Sequence, residues 1–339
     1  YAYCRGEVTA LAGDDYFSSF ITSGGKTEFW FLLFSAATMF IIYMGVQNGI
    51  ERVSTIMMPI LIVLAVAIAV YAVTRPGALQ GVSYFLVPNF RNFSWMTVVA
   101  AMGQMFYSLS IAMGILMTFG SYMKDDVSIE EATRHVELFD TAIAILAGLM
   151  IIPAVFAFSG GNPDVLKAGP SLMFITMPKI FASMGFGCPA GIIFFLLVLF
   201  AALTSAIALA ESAVSTFQDE LHWGRKRASL VLFIIIALLG SLSALGYGPL
   251  SMVKIVGMQF LDFFDFLTNS VMMPLAAMAT CLLIVRVIGV DKIAAELMKD
   301  GALFQRRAVF NFMIKYLCPF FVAIILFSSL ASVFGLISF

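Results

Sequence analysis

Residues 103–114 read GQMFYSLSIAMG and lie inside a long apolar run. A helix crossing a membrane needs neither two serines nor bracketing glycines there, and two readings compete. In hydrocarbon an unsatisfied backbone group is costly, so a helix interruption survives at membrane depth only where protein, water or a ligand satisfies the freed groups. SLSIAMG has the chemistry for such an interruption, because Gly114 admits unusual dihedrals and the Ser108 and Ser110 hydroxyls compete locally for backbone groups. The alternative is a face of small residues, Gly103, Ser108, Ser110 and Gly114, for close helix packing. From the stretch alone both stay open.

The chain around it settles the solvent. Of 339 residues 61% are apolar and 12% charged, and mean hydropathy is +1.01, against about 45–50% apolar content in soluble domains. This is the composition of an all-α polytopic membrane protein. A bilayer core of about 30 Å takes about 20 apolar residues per helix, and suitable runs fall at roughly 28–47, 54–74, 96–120, 136–158, 189–214, 228–247, 255–288 and 308–335. About eight spans are expected, in a single transmembrane domain over 1–339.

Assigning the connections to alternate sides places twelve of the 19 Lys and Arg residues on one face and seven on the other. The positive-inside rule makes the first face cytoplasmic, with GRKR at 224–227 its sharpest marker, and puts the residue 1 end outside. The expected location is the plasma (inner) membrane. Residues 1–26 then form an extracellular loop. Residues 159–188, with PSLMFITMPKIF, read either as a lid folded back onto the helices or as an ordinary amphipathic loop. The chain opens YAYCRGEV without an initiator Met and reads as a fragment.

Several function classes drop out. A net charge of −1 with scattered basic residues offers no nucleic-acid surface, and the four cysteines lack metal-ligand spacing. Intramembrane proteolysis would need a GxGD pair, a Ser and His dyad or HExxH, and both histidines, His135 and His222, sit in connections. No enzyme is expected.

Within the spans a second segment stands out, FAALTSAIALAE at 200–211. Ala201, Thr204 and Ser205 share a helix face at i, i+3, i+4 and stack two hydroxyls beside a carbonyl, oxygen ligands suited to a hard monovalent cation such as Na⁺. Hydroxyls in membrane helices also bond back to the preceding turn, which is the plainer reading. Carboxylates in spans are functional candidates: Asp140, Glu211, Asp262 and Asp265 qualify, with interface charges at helix ends as the alternative. A third break candidate is GIERVSTIMMP, 49–59, bracketed by Gly49 and Pro59.

In this order the pieces resemble the neurotransmitter:sodium symporter family, whose fold is the leucine-transporter inverted repeat with broken helices around a midplane site. GQMFYSLSIAMGILMTFGSYM resembles the family's unwound sixth helix, FAALTSAIALAESAVSTFQDEL its eighth, FDTAIAILAG its seventh and NGIERVSTIMMP the start of its fifth. The resemblance implies a chain spanning helices four to eleven, without the first three. It implies sodium-coupled symport of a neutral, hydrophobic or aromatic L-amino acid by alternating access. The rivals are a sodium-independent permease of the same fold and a non-transporting homologue or receptor.

The resemblance also assigns residues. Ala201, Thr204 and Ser205 match half of the second sodium site, and Ser108 and Asp140 match positions of the first. Tyr107, Ser108, Ser110, Met113, Ala206 and Leu209 match the substrate site. Two sodium sites are implied, both incomplete in this stretch of chain. Asp140 replaces the more usual asparagine and sets a fixed negative charge where animal members recruit chloride, which implies that chloride is not required. Asp265 and Tyr107 match the outer gate, Asp219 with Tyr122 the cytoplasmic one, and Gly49 to Pro59 an unwinding release path. The partners implied are an amino acid and the lipid bilayer, with a homodimer left open.

Overall fold

The computed structural model describes residues 2–124, 126–162, 172–183, 185–298 and 304–333. Helices are the only regular elements among them. The principal ones are α1 (Gly24–Tyr43), α2 (Val46–Val73), α3 (Trp95–Ser108), α4 (Ile115–Ser121), α5 (Ile129–Ser159), α6 (Gly187–Leu221), α7 (Arg225–Leu245), α8 (Phe260–Ile288) and α9 (Arg307–Ser328). Among the described residues seven of these, all but α3 and α4, are long and apolar enough to cross a bilayer. The eighth expected span is the interrupted pair α3 and α4.

Local chemistry sets the boundaries. Ser94 caps α3 by a reciprocal box, its hydroxyl accepting from the Thr97 amide at 3.3 Å while its own amide donates to the Thr97 hydroxyl at 3.2 Å. Between α1 and α2 the chain turns at Gly45, whose φ of 100° only glycine adopts freely. With 35 residues, α6 is about 50 Å long and outreaches the bilayer core.

The chain divides into two compact units. The first comprises Tyr1–Phe90, Thr141–Ala210 and Thr216–Lys254. In it α1 lies along α7, and the Phe31 ring fills the space above Gly240, where a Cβ would come within 2.1 Å of it. Gly148 on α5 receives the Phe85 ring in the same way. Ala65, Ile68 and Ala72 of α2, Ala154 and Val155 of α5 and Phe194 of α6 build the core. Tyr3 joins it, stacked on Phe195 with ring centroids 5.4 Å apart, and burial pushes its phenol up to about 12.

Residues 159–188 carry the choice between a lid folded back onto the helices and an ordinary amphipathic loop. Within them Leu172–Ser183 is helical, and Met177, Ile180 and Phe181 are fully buried in this core. Residues 163–171 and 184, with Lys167 of the cation count, lie outside the described residues, as does Lys299. The connection 75–95 contains the short helix Ala78–Leu86 and a 3-10 turn at Phe90–Asn92.

The second unit comprises Arg91–Asp140, Glu211–Ser215 and Ile255–Phe339. Here α8 packs on α9 through Met273, Ala277 and Val322, and Phe106 of α3 joins them. In both units large apolar side chains face outward, Leu238 67% and Phe327 69% exposed among them. Patches of that kind match a lipid solvent rather than water.

One expected interruption is closed. GIERVSTIMMP is helical throughout, with a π turn over Val46–Glu51 running into the α-helix Arg52–Val73, which continues through Pro59. Gly49 is explained by proximity instead: a Cβ there would meet the Ile41 carbonyl oxygen at 2.1 Å.

Candidate functional site

The interruption at 103–114 is present. α3 ends at Ser108, α4 resumes at Ile115, and Ser110, Ala112 and Gly114 between them hold φ of 54°, 64° and 79°. Non-glycine residues take such values seldom, and a cluster of them points to a site where local strain has a function.

The end of α3 is a Schellman turn. The Ser110 amide donates to the Tyr107 carbonyl at 3.0 Å and the Ile111 amide to the Phe106 carbonyl at 3.2 Å. The apolar contact that accompanies this motif is also there, since Ile111 packs in the cluster around Phe106.

On the far side, Ser212 of α6 supports the turn. Its hydroxyl lies 3.5 Å from the Met113 carbonyl oxygen and accepts from the Thr118 hydroxyl at 3.4 Å. A Cβ at position 114 would come 2.5 Å from the same hydroxyl, so Gly114 is required by both dihedral and contact. Ser212 and Thr118 were not singled out in the sequence. Their signal is weak, because one hydroxyl in an apolar helix looks like any other.

Where α3 opens, the Ser108 hydroxyl donates to the Asp140 carboxylate at 2.7 Å. Thirty-two residues of separation close into one contact, which sets a hydroxyl and a carboxylate, oxygen groups of the kind a hard cation takes, side by side at the broken helix. Tyr107 is exposed, and Ser110 and Met113 half-buried, on the same interruption.

In the first unit, Ala201, Thr204, Ser205, Ala206 and Leu209 follow one another on α6. The Thr204 hydroxyl donates to the Phe200 and Ala201 carbonyls, each at 3.0 Å. That is the back-bonding the plainer reading anticipated, and it also gathers the hydroxyl and the Ala201 carbonyl oxygen within 3.0 Å of one another. Ser205 is exposed one residue on.

The carboxylates separate into distinct environments. Asp265, at the start of a π segment Phe266–Met272 in α8, accepts from the Asn269 amide nitrogen at 2.6 Å. π segments of this sort recur at functional sites. Asp262 is exposed, and Asp219 is exposed near the end of α6.

Glu211 does not fit the alternative of an interface charge: it is 0% exposed and accepts from the Tyr122 hydroxyl at 2.8 Å. Tyr122, assigned a role beside Asp219, is thus tied to Glu211. The spacing held a clue, since Glu211 lies seven residues after Thr204, two turns along one face.

With this geometry in view, residues 3–336 match the profile of the sodium:neurotransmitter symporter family. The sodium-dependent transporter YhdH of Bacillus subtilis strain 168 is 34% identical over 337 residues, which cover 98% of this chain and 73% of YhdH. A sodium-dependent transporter of Haemophilus influenzae is 32% identical over 303 residues, 89% of this chain and 65% of that relative. Among solved structures, MhsT in complex with L-phenylalanine matches with a TM-score of 0.82 at 36% identity, over 97% of this chain and 74% of MhsT. Agreement of that extent, on a fold that interrupts its helix at the serines and glycine singled out in the sequence, makes this chain a member of the sodium:neurotransmitter symporter family, a multi-pass sodium-dependent membrane transporter on the leucine-transporter fold.

Proposed function

We propose that the protein carries a neutral hydrophobic or aromatic L-amino acid across the plasma membrane together with Na⁺, by alternating access. The observation that carries this reading is the 2.7 Å contact of Ser108 with Asp140 at the mouth of a broken helix. A fixed carboxylate and a hydroxyl there bind Na⁺ as cargo, and the amino acid docks on the interrupted backbone once the ion has ordered it. Thr204, Ser205 and the Ala201 carbonyl contribute to a second sodium site. Asp140 supplies the counter-charge, so transport proceeds without chloride.

Substrate choice is assigned to Tyr107, Ser110 and Met113 on the interruption. Met113 is an unbranched thioether that adapts to varied apolar shapes, and L-phenylalanine bound to MhsT supports an aromatic substrate. Asp265 acts in the outer gate with Tyr107, and Asp219 in the cytoplasmic one. The segment from Gly49 to Pro59, helical here, unwinds to release sodium. The GRKR end of α7 faces the cytoplasm, and the residue 1 end faces outward.

The test is uptake of labelled L-phenylalanine by the intact protein in liposomes under an inward sodium gradient. Uptake is expected to collapse when potassium replaces sodium, to persist when gluconate replaces chloride, and to be competed by leucine far better than by glycine. Sodium-independent uptake would overturn the coupling, and preference for glycine would overturn the substrate class.

A further inference from the structure

α8 and α9 are consecutive spans, so they run antiparallel, and they pack along a regular register. Met273, Ala277 and Cys281 fall at i, i+4 and i+8 on α8 and are all buried, and Ala277 shares a cluster with Val322 of α9. One turn from that contact, toward Met273 on α8, the same cluster takes in Ile325 of α9. One turn the other way, the register sets Cys281 against Cys318, and the two thiols lie within electrostatic reach of each other. Both stretches are regular α-helix, Met273–Leu282 and Cys318–Val333, so nothing shifts the register between them.

Neither cysteine is in a disulfide. Cys281 is buried and Cys318 half-buried, so one thiol closes the seam and the other opens it. Two π segments adjoin the pair, Leu283–Ile288 just after Cys281 and Met313–Leu317 just before Cys318, and they neighbour one another. Such segments recur at functional sites. The cysteines stand 37 residues apart, a separation that no ligand-spacing motif records.

Donor chemistry selects a ligand. Thiolates take soft ions, where Na⁺ takes oxygen. Among the described residues no group of three or more His, Cys, Asp or Glu is placed to hold a metal, which gives zinc no tetrahedral shell and leaves an ion that two sulfurs satisfy in line. Charge decides between such ions. Two thiolates around a monovalent ion leave a net charge in an apolar seam, and around a divalent ion they leave none. A bridging ion holds its sulfurs about 4.6 Å apart, twice a metal–thiolate bond of about 2.3 Å, a span that suits side chains meeting across helix axes about 8–10 Å apart.

We propose that Cys281 and Cys318 form a two-sulfur site for a soft divalent metal ion of the mercuric type. On binding, two S–H bonds break, two metal–sulfur bonds form, both protons pass to water and no electron is transferred. The ion enters past Cys318 and ties α8 to α9.

The experiment is mass spectrometry and thermal melting of the intact protein, every other cysteine replaced by serine, titrated with mercuric chloride against excess 2-mercaptoethanol as a single-thiol competitor. The expected product carries one mercury per chain and two protons fewer, and it melts several degrees above the metal-free protein. Cys281→Ala and Cys318→Ala should each weaken binding at least about 100-fold, the lower end of the gain from linking two binding groups, and abolish the rise in melting temperature. Should the buried Cys281→Ala fail to fold, Cys318→Ser at the half-buried position decides the matter alone. Two mercuries per chain, one on each thiol, would overturn the proposal, as would binding that survives the loss of either cysteine in protein that elutes normally. Zinc binding as tightly as mercury would show further ligands in the shell and overturn the two-sulfur site too.

Discussion

Asp140 and Gly114 make opposite demands on the residues around them, one through charge and the other through the lack of a side chain. Asp140 receives the Ser108 hydroxyl at 2.7 Å, and hydrogen bonds to a charged group contribute about 1.5–3 kcal/mol. Asp140→Asn keeps the shape and removes the charge, and so should weaken the proposed cation site. The sodium concentration for half-maximal uptake should rise at least about tenfold, with thermal stability nearly unchanged. Unaltered sodium dependence would remove Asp140 from the ion site. For Gly114→Ala the prediction concerns stability: a left-handed backbone costs an L-residue about 1–2 kcal/mol, and the new methyl would also crowd Ser212 Oγ. The melting temperature should fall, and adding Ser212→Ala should restore part of the loss. A melting temperature equal to that of the parent protein would show that the interruption tolerates a side chain.

At the scale of elements, the sequence exposed one interruption and overstated another, for physical reasons. GQMFYSLSIAMG announced its break because two serines and a glycine compete with the helix within seven residues. GIERVSTIMMP paired a glycine with a proline and suggested the same, yet the structure runs through it as helix. Pro59 deletes a single amide donor, which a helix can absorb, and Gly49 serves a close approach to the Ile41 carbonyl. That approach depends on how the chain folds back after Gly45, and no pattern of residue types records it. Ser212 and Thr118 were hidden for a related reason, since their roles arise only when α6 meets the turn before α4. Glycine also decides how α1 and α7 pair, because Phe31 occupies the space above Gly240. Gly240→Leu would force that ring out at a cost of about 1–3 kcal/mol. It should lower the melting temperature by several degrees, and Phe31→Ala should rescue it in the double variant. Full additivity of the two changes would mean that the pair does not interlock.

For the whole molecule, the proposed function makes sodium and amino acid interact through the order each imposes on the same broken helix. The interruption keeps three residues at positive φ and leaves α3 and α4 joined by a short turn, an arrangement that an ion at Ser108 and Asp140 would hold more firmly. Ordering by the first ligand lowers the entropy cost met by the second, which gives positive coupling without a new contact between them. Thermodynamic linkage then makes the effect reciprocal: the factor by which sodium tightens L-phenylalanine must equal the factor by which L-phenylalanine tightens sodium. Calorimetric titrations of the intact protein in detergent, each ligand with and without saturating amounts of the other, should return equal factors of about 5–150-fold, the usual range of such coupling. Asp140→Asn should reduce both factors together. Independent binding, with each affinity indifferent to the other ligand, would separate the ion site from the substrate site and remove the broken helix as the element that links them.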